Sequence, residues 1–355
     1  MTNDNQKVRW GVLGTANFGR TILPAIQRCQ FAEVSAVASR SLESAKAYAK
    51  ELAIPKAYGS YEEILRDPEV DAIYIPLPNH MHIGPAKLAL EAGKHVLCEK
   101  PISVNAEDAL ELLEFSKRFP RLKIAEAFMY RYHPQWVQAK KWVTEGKIGT
   151  LRMVQVFFAY YNVDASNIRN QSDVGGGGRL DIGCYCISSS RWICDREPER
   201  VIGLFDKDPS FGTDRLASGI LEFGNGLQAS FTCSTQVAPY QRINILGTHG
   251  RVEIDIPFNA PSDRPCRVSL YPGIHSDQGR FEPAESQVLD MDICDQYTLQ
   301  GEAISLAILN DEPVPYGLED AVGNMHTLEA LRQSNESSAW TVSYTHLTLP
   351  TSDLV

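Results

Sequence analysis

The sequence of 355 residues has no run of about 18 consecutive apolar residues, so it predicts no helix that would cross a bilayer. Its polar first ten residues lack the hydrophobic stretch of a secretory signal peptide. Its eight cysteines include no C-x-x-C pair and are scattered through apolar segments, which favours reduced thiols. We therefore expect a cytoplasmic protein.

Positive charge is also scarce, because 34 Lys and Arg residues oppose 44 Asp and Glu residues for a net charge of −10. Nucleic acids and anionic membranes attract clustered basic side chains, so neither is an expected partner. The charge is uneven: residues 1–126 are neutral, with 16 basic and 16 acidic side chains, and residues 127–355 carry the whole excess. The acidic second part favours a neutral polyol over a phosphorylated or carboxylated small-molecule substrate.

In the first third of the chain, apolar runs alternate with amphipathic stretches, which predicts a parallel sheet wound with helices. Ser41 and Asn105 are suited to cap the second and fourth predicted helices. The predicted strands are 8–13, 34–38, 72–75, 95–98 and 123–127, and the predicted helices are 18–29, 42–52, 83–91 and 106–117.

After about residue 127, longer alternating runs are separated by Gly-rich turns. They predict a C-terminal α+β domain with a large, mostly antiparallel open sheet, so the fold class is α/β with two domains, 1–126 and 127–340. The predicted strands there include 151–159, 216–223, 227–234 and 242–246.

The tail at 341–355 is β-rich, has no evident partner strand and is similar to translated sequencing-adapter read-through, so we interpret it as not native. A short terminal strand or a disordered tail is the alternative, and we assign the tail no function.

A turn rich in small residues follows the first predicted strand and leads into the first predicted helix. Gly14 permits a tight turn, Ala16 stands where G-x-G-x-x-G has its second glycine, and Gly19 permits close helix packing. Backbone N–H groups at such a helix start hold phosphates, which predicts a Rossmann dinucleotide-binding domain. The expected cofactor contacts here are Gly14, Thr15, Ala16, Asn17 and Phe18.

The end of the second predicted strand bears on which dinucleotide binds. An NAD site usually has Asp or Glu there, whereas this chain has Ser39 and Arg40. A hydroxyl and a guanidinium suit a 2′-phosphate, so we predict that both contact NADP. The alternative is that Arg40 is a solvated surface residue and that NAD binds.

Two further motifs resemble those of one enzyme family. The chain has Cys98-Glu99-Lys100-Pro101 after a predicted strand, and a Gly run continues into Asp181-x-Gly183-x-Tyr185. Together these motifs are similar to those of the Gfo/Idh/MocA oxidoreductases, in particular the branch of NADP-dependent D-xylose dehydrogenases and dimeric dihydrodiol dehydrogenases. The resemblance extends to about residue 340.

The resemblance implies that Tyr185 is the proton-transferring residue and that Glu99 and Lys100 contact the cofactor. A free phenol has a pKa near 10, so the Lys100 ammonium is expected to lower the pKa of Tyr185. Asp181, four residues earlier, is expected to orient the substrate hydroxyl or Lys100. Arg179 departs from the apolar residue usual in the family.

Two other segments complete the predicted site. In the family, the loop after the third predicted strand runs beside the cofactor, which implies contacts from Leu77, Pro78, Asn79 and His82. No Cys or carboxylate at suitable spacing supports His80 and His82 as zinc ligands, so no metal is expected. In the segment 126–134, Arg131 and His133 are expected to contact substrate, together with Tyr185. The alternative, which has equal weight, is that this segment is only an aromatic-rich junction between the domains.

These observations predict an NADP-dependent oxidoreductase that acts on a hydroxyl of a sugar or cyclic diol, with NAD as a possible cofactor. The resemblance also implies a homodimer or homotetramer. Two alternatives stay open: a glycoside elimination assisted by transient oxidation with a tightly held NAD(P), and a non-catalytic NADP or sugar sensor.

Overall fold

The computed structural model describes residues 6–343, which contain two sheets. The first sheet has six strands in the order β3-β2-β1-β4-β5-β6, and every pair is parallel. The order reverses between β1 and β4, the position at which doubly wound sheets bind ligands. These strands are β1 (Val8–Leu13), β2 (Ala32–Ala38), β3 (Lys56–Tyr58), β4 (Ala72–Ile75), β5 (His95–Cys98) and β6 (Ile124–Glu126).

Helices connect these strands, and two of them begin at the predicted caps. Ser41 accepts a hydrogen bond from the Ser44 N–H at 3.3 Å, and Asn105 accepts one from the Asp108 N–H at 2.8 Å. The strand β3 and the helix α3 were not predicted, because elements of three and five residues are too short to show a hydrophobic period. The helices are α1 (Gly19–Gln27), α2 (Leu42–Glu51), α3 (Tyr61–Leu65), α4 (Ile83–Glu91) and α5 (Ala106–Ser116).

The second sheet is larger and mostly antiparallel, as predicted. Its order is β14-β13-β12-β11-β7-β10-β9-β8-β16, with β15 paired to β13, and only β7 and β10 run parallel. Its strands are β7 (Leu151–Tyr161), β8 (Arg200–Lys207), β9 (Asp214–Glu222), β10 (Gln228–Ser234), β11 (Gln236–Gly247), β12 (Gly250–Ile254), β13 (Cys266–His275), β14 (Phe281–Pro283), β15 (Gln287–Met291) and β16 (Thr341–Val342).

Helices cover one face of this sheet, so alternate strand residues such as Val156, Phe158 and Phe231 are buried against them. Among these helices, α7 is buried along almost its whole length, which fixes the residues at its start. The helices of this part are α6 (Pro134–Thr144), α7 (Cys184–Cys194), α8 (Gln296–Leu309) and α9 (Leu318–Ser337).

The helix α8 packs on the first sheet rather than on the second. The indole N–H of the buried Trp10 donates to the Ser305 hydroxyl at 3.1 Å, and Arg28 forms an ion pair with Asp295 at 2.5 Å. The chain therefore returns to the first half after β15 and before the last strand of the second sheet, and the two halves pack directly on each other.

The start of the predicted tail is part of the large sheet. Thr341 and Val342 pair antiparallel with Val201 and Arg200, so a short terminal strand is present there. The remainder of the tail, 344–355, lies outside the described residues. Within the described range 6–343, we find no helix with the length and apolar character needed to span a membrane.

Candidate active site

A cleft of about 740 Å³ lies between the carboxyl ends of the first sheet's strands and the start of α7. Both halves of the chain contribute to its walls, and most of the residues predicted from the sequence line it. These residues are Gly14, Thr15, Ala16, Asn17, Phe18, Ser39, Arg40, Leu77, Pro78, Asn79, Glu99, Lys100, Asp181 and Tyr185.

The turn between β1 and α1 has no room for larger residues at its glycines. Gly14 has a φ of +94°, and a Cβ there would lie 2.8 Å from the Leu77 Cδ2 atom. A Cβ on Gly19 would collide with the Tyr48 hydroxyl, which donates to the carbonyl of Ala16 at 2.9 Å. The turn is thus fixed in shape by its neighbours.

This turn leaves backbone donors available to a ligand. Among the hydrogen bonds formed within residues 6–343, none has the N–H of Thr15, Ala16, Asn17 or Phe18 as its donor. These four groups lie at the start of α1 and line the cleft, where the helix dipole favours an anion. The donor set and the tight turn fit the pyrophosphate of a dinucleotide.

The second strand ends beside this turn with Ser39 and Arg40. Arg40 is exposed, and the ion pairs found within residues 6–343 do not include it. It faces Tyr61, whose pKa is raised by burial and partly lowered again by the Arg40 charge. Tyr61 lines the cleft and was missed by sequence reasoning, because it begins the short helix α3 that no period reveals.

At the other end of the cleft, Lys100, Asp181 and Tyr185 come together. The Lys100 Nζ donates to the Asp181 carbonyl at 2.6 Å and to the Asp181 Oδ1 atom at 3.0 Å. The same Nζ lies 4.9 Å from the centre of the Tyr185 ring. The three residues that the resemblance implied are therefore in one cluster, and Asp181 orients Lys100.

The charges of Lys100 and Asp181 stabilise each other. Burial opposes ionisation of the Asp181 carboxyl, but Lys100 and Arg169 outweigh burial and hold its pKa well below its usual range. Burial likewise disfavours the Lys100 ammonium, but Asp181 together with Cys184 and Glu99 outweighs burial, so the pKa of Lys100 is raised. Both groups are therefore charged at neutral pH.

The environment of Tyr185 differs from the expectation. Burial raises the pKa of Tyr185 well above its ordinary value, with smaller contributions from Tyr297 and Glu99. Lys100 lies over the ring face, and the Tyr185 hydroxyl donates instead to the Met129 Sδ atom at 3.4 Å. The expectation that the pKa of this phenol is lowered is therefore wrong, because burial dominates, and Tyr185 is protonated at neutral pH.

The second oxygen of Asp181 has two partners that sequence reasoning missed. The Tyr160 hydroxyl donates to Oδ2 at 2.6 Å, and the Arg169 Nε atom lies 2.9 Å from the same oxygen. Both residues precede the recognised motif, at the end of β7 and in the loop after it. No local motif marks them, so no signal in a single sequence would have identified them.

The Gly run before Asp181 forms a turn that requires glycine at two positions. Gly175 and Gly177 have φ values of +83° and +112°, which disfavour other residues. Asp181 follows in a single π-helical turn, Arg179–Gly183, that leads into α7. Arg179 is buried away from the cleft, where its guanidinium donates to the carbonyl of Leu328 at 3.2 Å.

The structure corrects the expectation for His82, which does not line the cleft. Its side chain is fully buried, with Nδ1 at 2.8 Å from the Pro101 carbonyl and Nε2 at 2.7 Å from the Leu77 carbonyl. Burial lowers its pKa. His82 therefore links two cleft-forming loops from behind, and both of its nitrogens face carbonyls, while His80 is exposed.

The structure also corrects the expectations for Arg131 and His133, which lie outside the cleft. The buried Arg131 forms an ion pair with Asp320 at 2.5 Å and lies over the Tyr316 ring. His133 accepts a hydrogen bond from the Gln135 N–H at the start of α6, and burial lowers its pKa to about 4. The aromatic-rich junction is the interpretation that fits both residues.

Comparison with protein families gives two matches in sequence order. Residues 8–122 match the model of an oxidoreductase family with an NAD-binding Rossmann fold, GFO_IDH_MocA. Residues 136–253 match a GFO/IDH/MocA C-terminal domain. The two matches fall on the halves that contribute the nucleotide turn and the Asp181–Tyr185 segment.

Curated relatives cover most of this chain. An uncharacterized oxidoreductase, ORF334, of Rhizobium meliloti is 41% identical over 94% of this chain and 98% of its own length. D-xylose 1-dehydrogenase (NADP(+)) 2 of Haloferax volcanii is 33% identical over 93% and 98%. Trans-1,2-dihydrobenzene-1,2-diol dehydrogenase of Bos taurus is 32% identical over 72% and 76%.

A solved structure agrees with the fold. KijD10, a 3-ketoreductase from Actinomadura kijaniata in complex with NADP and TDP-benzene, superposes with a TM-score of 0.83 at 28% identity. The match covers 93% of this chain and 98% of that one. The chain therefore belongs to the Gfo/Idh/MocA family of oxidoreductases and is an NAD(P)-dependent enzyme of that family.

Proposed function

We propose that this enzyme is an NADP-dependent dehydrogenase that acts on a hydroxyl of a neutral sugar or cyclic diol. One observation carries the proposal: a single cleft joins an anion-binding turn at Gly14–Phe18 to the Lys100, Asp181 and Tyr185 cluster. A cofactor held at the first end and a hydroxyl held at the second end would meet within that cleft.

The residues present would hold NADP in a defined way. The free N–H groups of residues 15–18 would bind its pyrophosphate. Ser39 and the exposed guanidinium of Arg40 would bind a 2′-phosphate through charge-assisted hydrogen bonds. Asn79 and Glu99 also line the cleft. When bound, the nicotinamide supplies the hydride chemistry.

Tyr185 is the proposed proton-transferring residue at the substrate oxygen. Its phenol is protonated at neutral pH, so it is ready to donate a proton to a substrate carbonyl in the direction of reduction. In the direction of oxidation it would take the hydroxyl proton, with the Lys100 ammonium favouring the phenolate that must form first. Asp181 keeps that ammonium in place.

The substrate class is supported by relatives and by charge. The relatives include enzymes named for D-xylose and for a cyclic diol. The acidic excess of residues 127–355 favours a neutral substrate over an anionic one. We therefore propose an uncharged polyhydroxyl compound.

The test is to mix purified protein with NADP or NAD and a panel of aldoses and cyclic diols, and to follow the absorbance of the reduced nicotinamide. We expect reduction of NADP with at least one member of the panel, and a lower rate with NAD. Product release from a glycoside without accumulation of NADPH would instead favour elimination assisted by transient oxidation. Tight NADP binding without turnover on any substrate would favour a sensor.

We also propose that the enzyme is a cytoplasmic homodimer or homotetramer. Leu204, Leu216 and Ile220 are exposed on the uncovered face of the large sheet, where a second copy would bury them. All eight cysteines, which lie within the described residues, are free thiols, as expected in a reducing compartment. Size-exclusion chromatography with light scattering tests the assembly, and a monomeric mass would contradict it.

A further inference from the structure

The carboxylate of Asp181 is held on both of its oxygens. Lys100 contacts Oδ1 at 3.0 Å, whereas Tyr160 and Arg169 contact Oδ2 at 2.6 Å and 2.9 Å. A carboxylate bonded on one oxygen alone would be free to rotate about its Cβ–Cγ bond, so the contacts on Oδ2 determine where Oδ1 points.

Arg169 is brought to Asp181 by the Gly run. The Gly177 N–H donates to the carbonyl of Arg169 at 2.8 Å, and the Gly176 N–H donates to the carbonyl of Gln171 at 2.9 Å. A Cβ on Gly176 would lie 2.5 Å from the Gln171 carbonyl oxygen and 2.7 Å from that of Arg169. Only glycine lets the two segments lie this close, so the run is needed to place Arg169.

We propose that Arg169 is a positioning residue, which fixes the Asp181 carboxylate so that its other oxygen holds the Lys100 ammonium against Tyr185. This inference rests on the function proposed above. It explains why an arginine whose side chain is 39% exposed lines the cleft beside Asp181, which Lys100 alone would already neutralise.

Arg169 also adds a second positive charge to the cluster. Its charge lowers the pKa of Lys100 and favours the phenolate form of Tyr185. Loss of that charge should shift proton transfer from Tyr185 to higher pH. The other titratable groups that face Lys100 and Tyr185 are Glu99, Tyr130, Tyr160, Asp181, Cys184 and Tyr297.

The test compares Arg169→Gln and Arg169→Lys with Arg332→Gln as the matched control, since Arg332 forms ion pairs along α9 and does not line the cleft. For Arg169→Gln we expect kcat for oxidation to fall by about tenfold or more, its rising pH limb to move to higher pH, and the Kd for NADP to stay unchanged. Arg169→Lys keeps the positive charge and should leave the rising limb of the kcat–pH profile at the same pH.

A second variant leaves the arginine intact and disturbs its placement. Gly176→Ala forces the two segments apart, so we expect it to lower kcat in the same way as Arg169→Gln, with NADP affinity retained. Normal kcat and an unshifted pH limb in Arg169→Gln would overturn the proposal, whatever Gly176→Ala does.

A crystal structure of Arg169→Gln provides a readout that does not need activity. Tyr160 alone would then hold Oδ2, so the proposal expects the Asp181 carboxylate to tilt about that contact and the distance between Lys100 Nζ and Asp181 Oδ1 to lengthen. An unchanged contact near 3.0 Å would overturn the proposal even if no substrate is found. Absence of turnover in the wild-type protein on every substrate would count against the proposed function alone, so the two failures are distinguishable.

Discussion

The end of the cleft at the start of α1 presents backbone N–H groups, whereas the end near α7 presents charged side chains. The first end depends on a turn whose shape is fixed by Gly14 and Gly19, so its chemistry is local in sequence. The second depends on Lys100, Arg169 and Asp181, which come from different segments. Cofactor binding should therefore be separable from proton transfer by single substitutions.

The largest expected effect is on turnover at the side-chain end. Tyr185→Phe removes the proposed proton-transferring hydroxyl but keeps the ring that packs against Phe128 and Phe158. We expect kcat to fall by about 10²–10⁴ while the Kd for NADP is unchanged. Steady-state rates and fluorescence titration of NADPH measure the two quantities. Normal turnover would show that another group transfers the proton.

The next effect is on dinucleotide affinity at the backbone end. Gly14→Val places a Cβ against Leu77 at a φ of +94°, so the turn must change shape. We expect the Kd for both NADP and NAD to rise by roughly tenfold to a hundredfold. Gly93→Ala is the control, because Gly93 has a φ of +74° but a Cβ there would contact nothing within 4 Å. Equal loss of affinity in both variants would mean that general destabilisation is responsible.

A smaller effect separates the two dinucleotides. Arg40→Ala removes the exposed guanidinium proposed to bind the 2′-phosphate, so we expect the Kd for NADP to rise by about tenfold while that for NAD changes little. Parallel titrations with NADPH and NADH check this. Equal effects on both cofactors would contradict the role of Arg40 in choosing NADP.

The last effect is on stability, at the junction between the two halves of the chain. The Ile102 N–H donates to the buried Glu126 Oε1 at 2.7 Å, and Oε2 has no partner within the described residues. Burial raises the pKa of Glu126 from 4.5 to about 8. The folded protein therefore retains a proton that the unfolded chain loses, and stability should fall as pH rises between these values.

Glu126→Gln removes this titration. We therefore expect the difference in the free energy of unfolding, variant minus wild type, to be larger at pH 9 than at pH 4.5 by at least about 1.4 kcal/mol. Urea unfolding at both pH values measures the change, with the exposed Glu282→Gln as control. An unchanged pH dependence would show that Glu126 ionises normally.

The first half of the fold was predictable because its signals are local. The strands at 8–13, 72–75 and 95–98 have the predicted bounds, and the caps Ser41 and Asn105 are confirmed. The sequence could not reveal that α8 returns to the first sheet, because its packing on Trp10 involves a contact nearly three hundred residues apart.

The site was predictable where a motif marks it and not where packing decides. Lys100, Asp181 and Tyr185 come together as the resemblance implied. The prediction for His82 was wrong because a polar residue in a loop beside a ligand site can also turn away from the cleft and hydrogen-bond backbone carbonyls. The pKa of Tyr185 could not be read from its neighbours in sequence, because burial by the assembled core determines it.

The central claim is that one end of the cleft binds the cofactor and the other moves the proton. The most direct test measures kcat at saturating NADP and the Kd for NADP in both Tyr185→Phe and Arg40→Ala. We predict that Tyr185→Phe loses turnover and keeps NADP affinity, whereas Arg40→Ala loses affinity and keeps turnover. If each variant changes both quantities to the same extent, the two ends are not separate and the account is wrong.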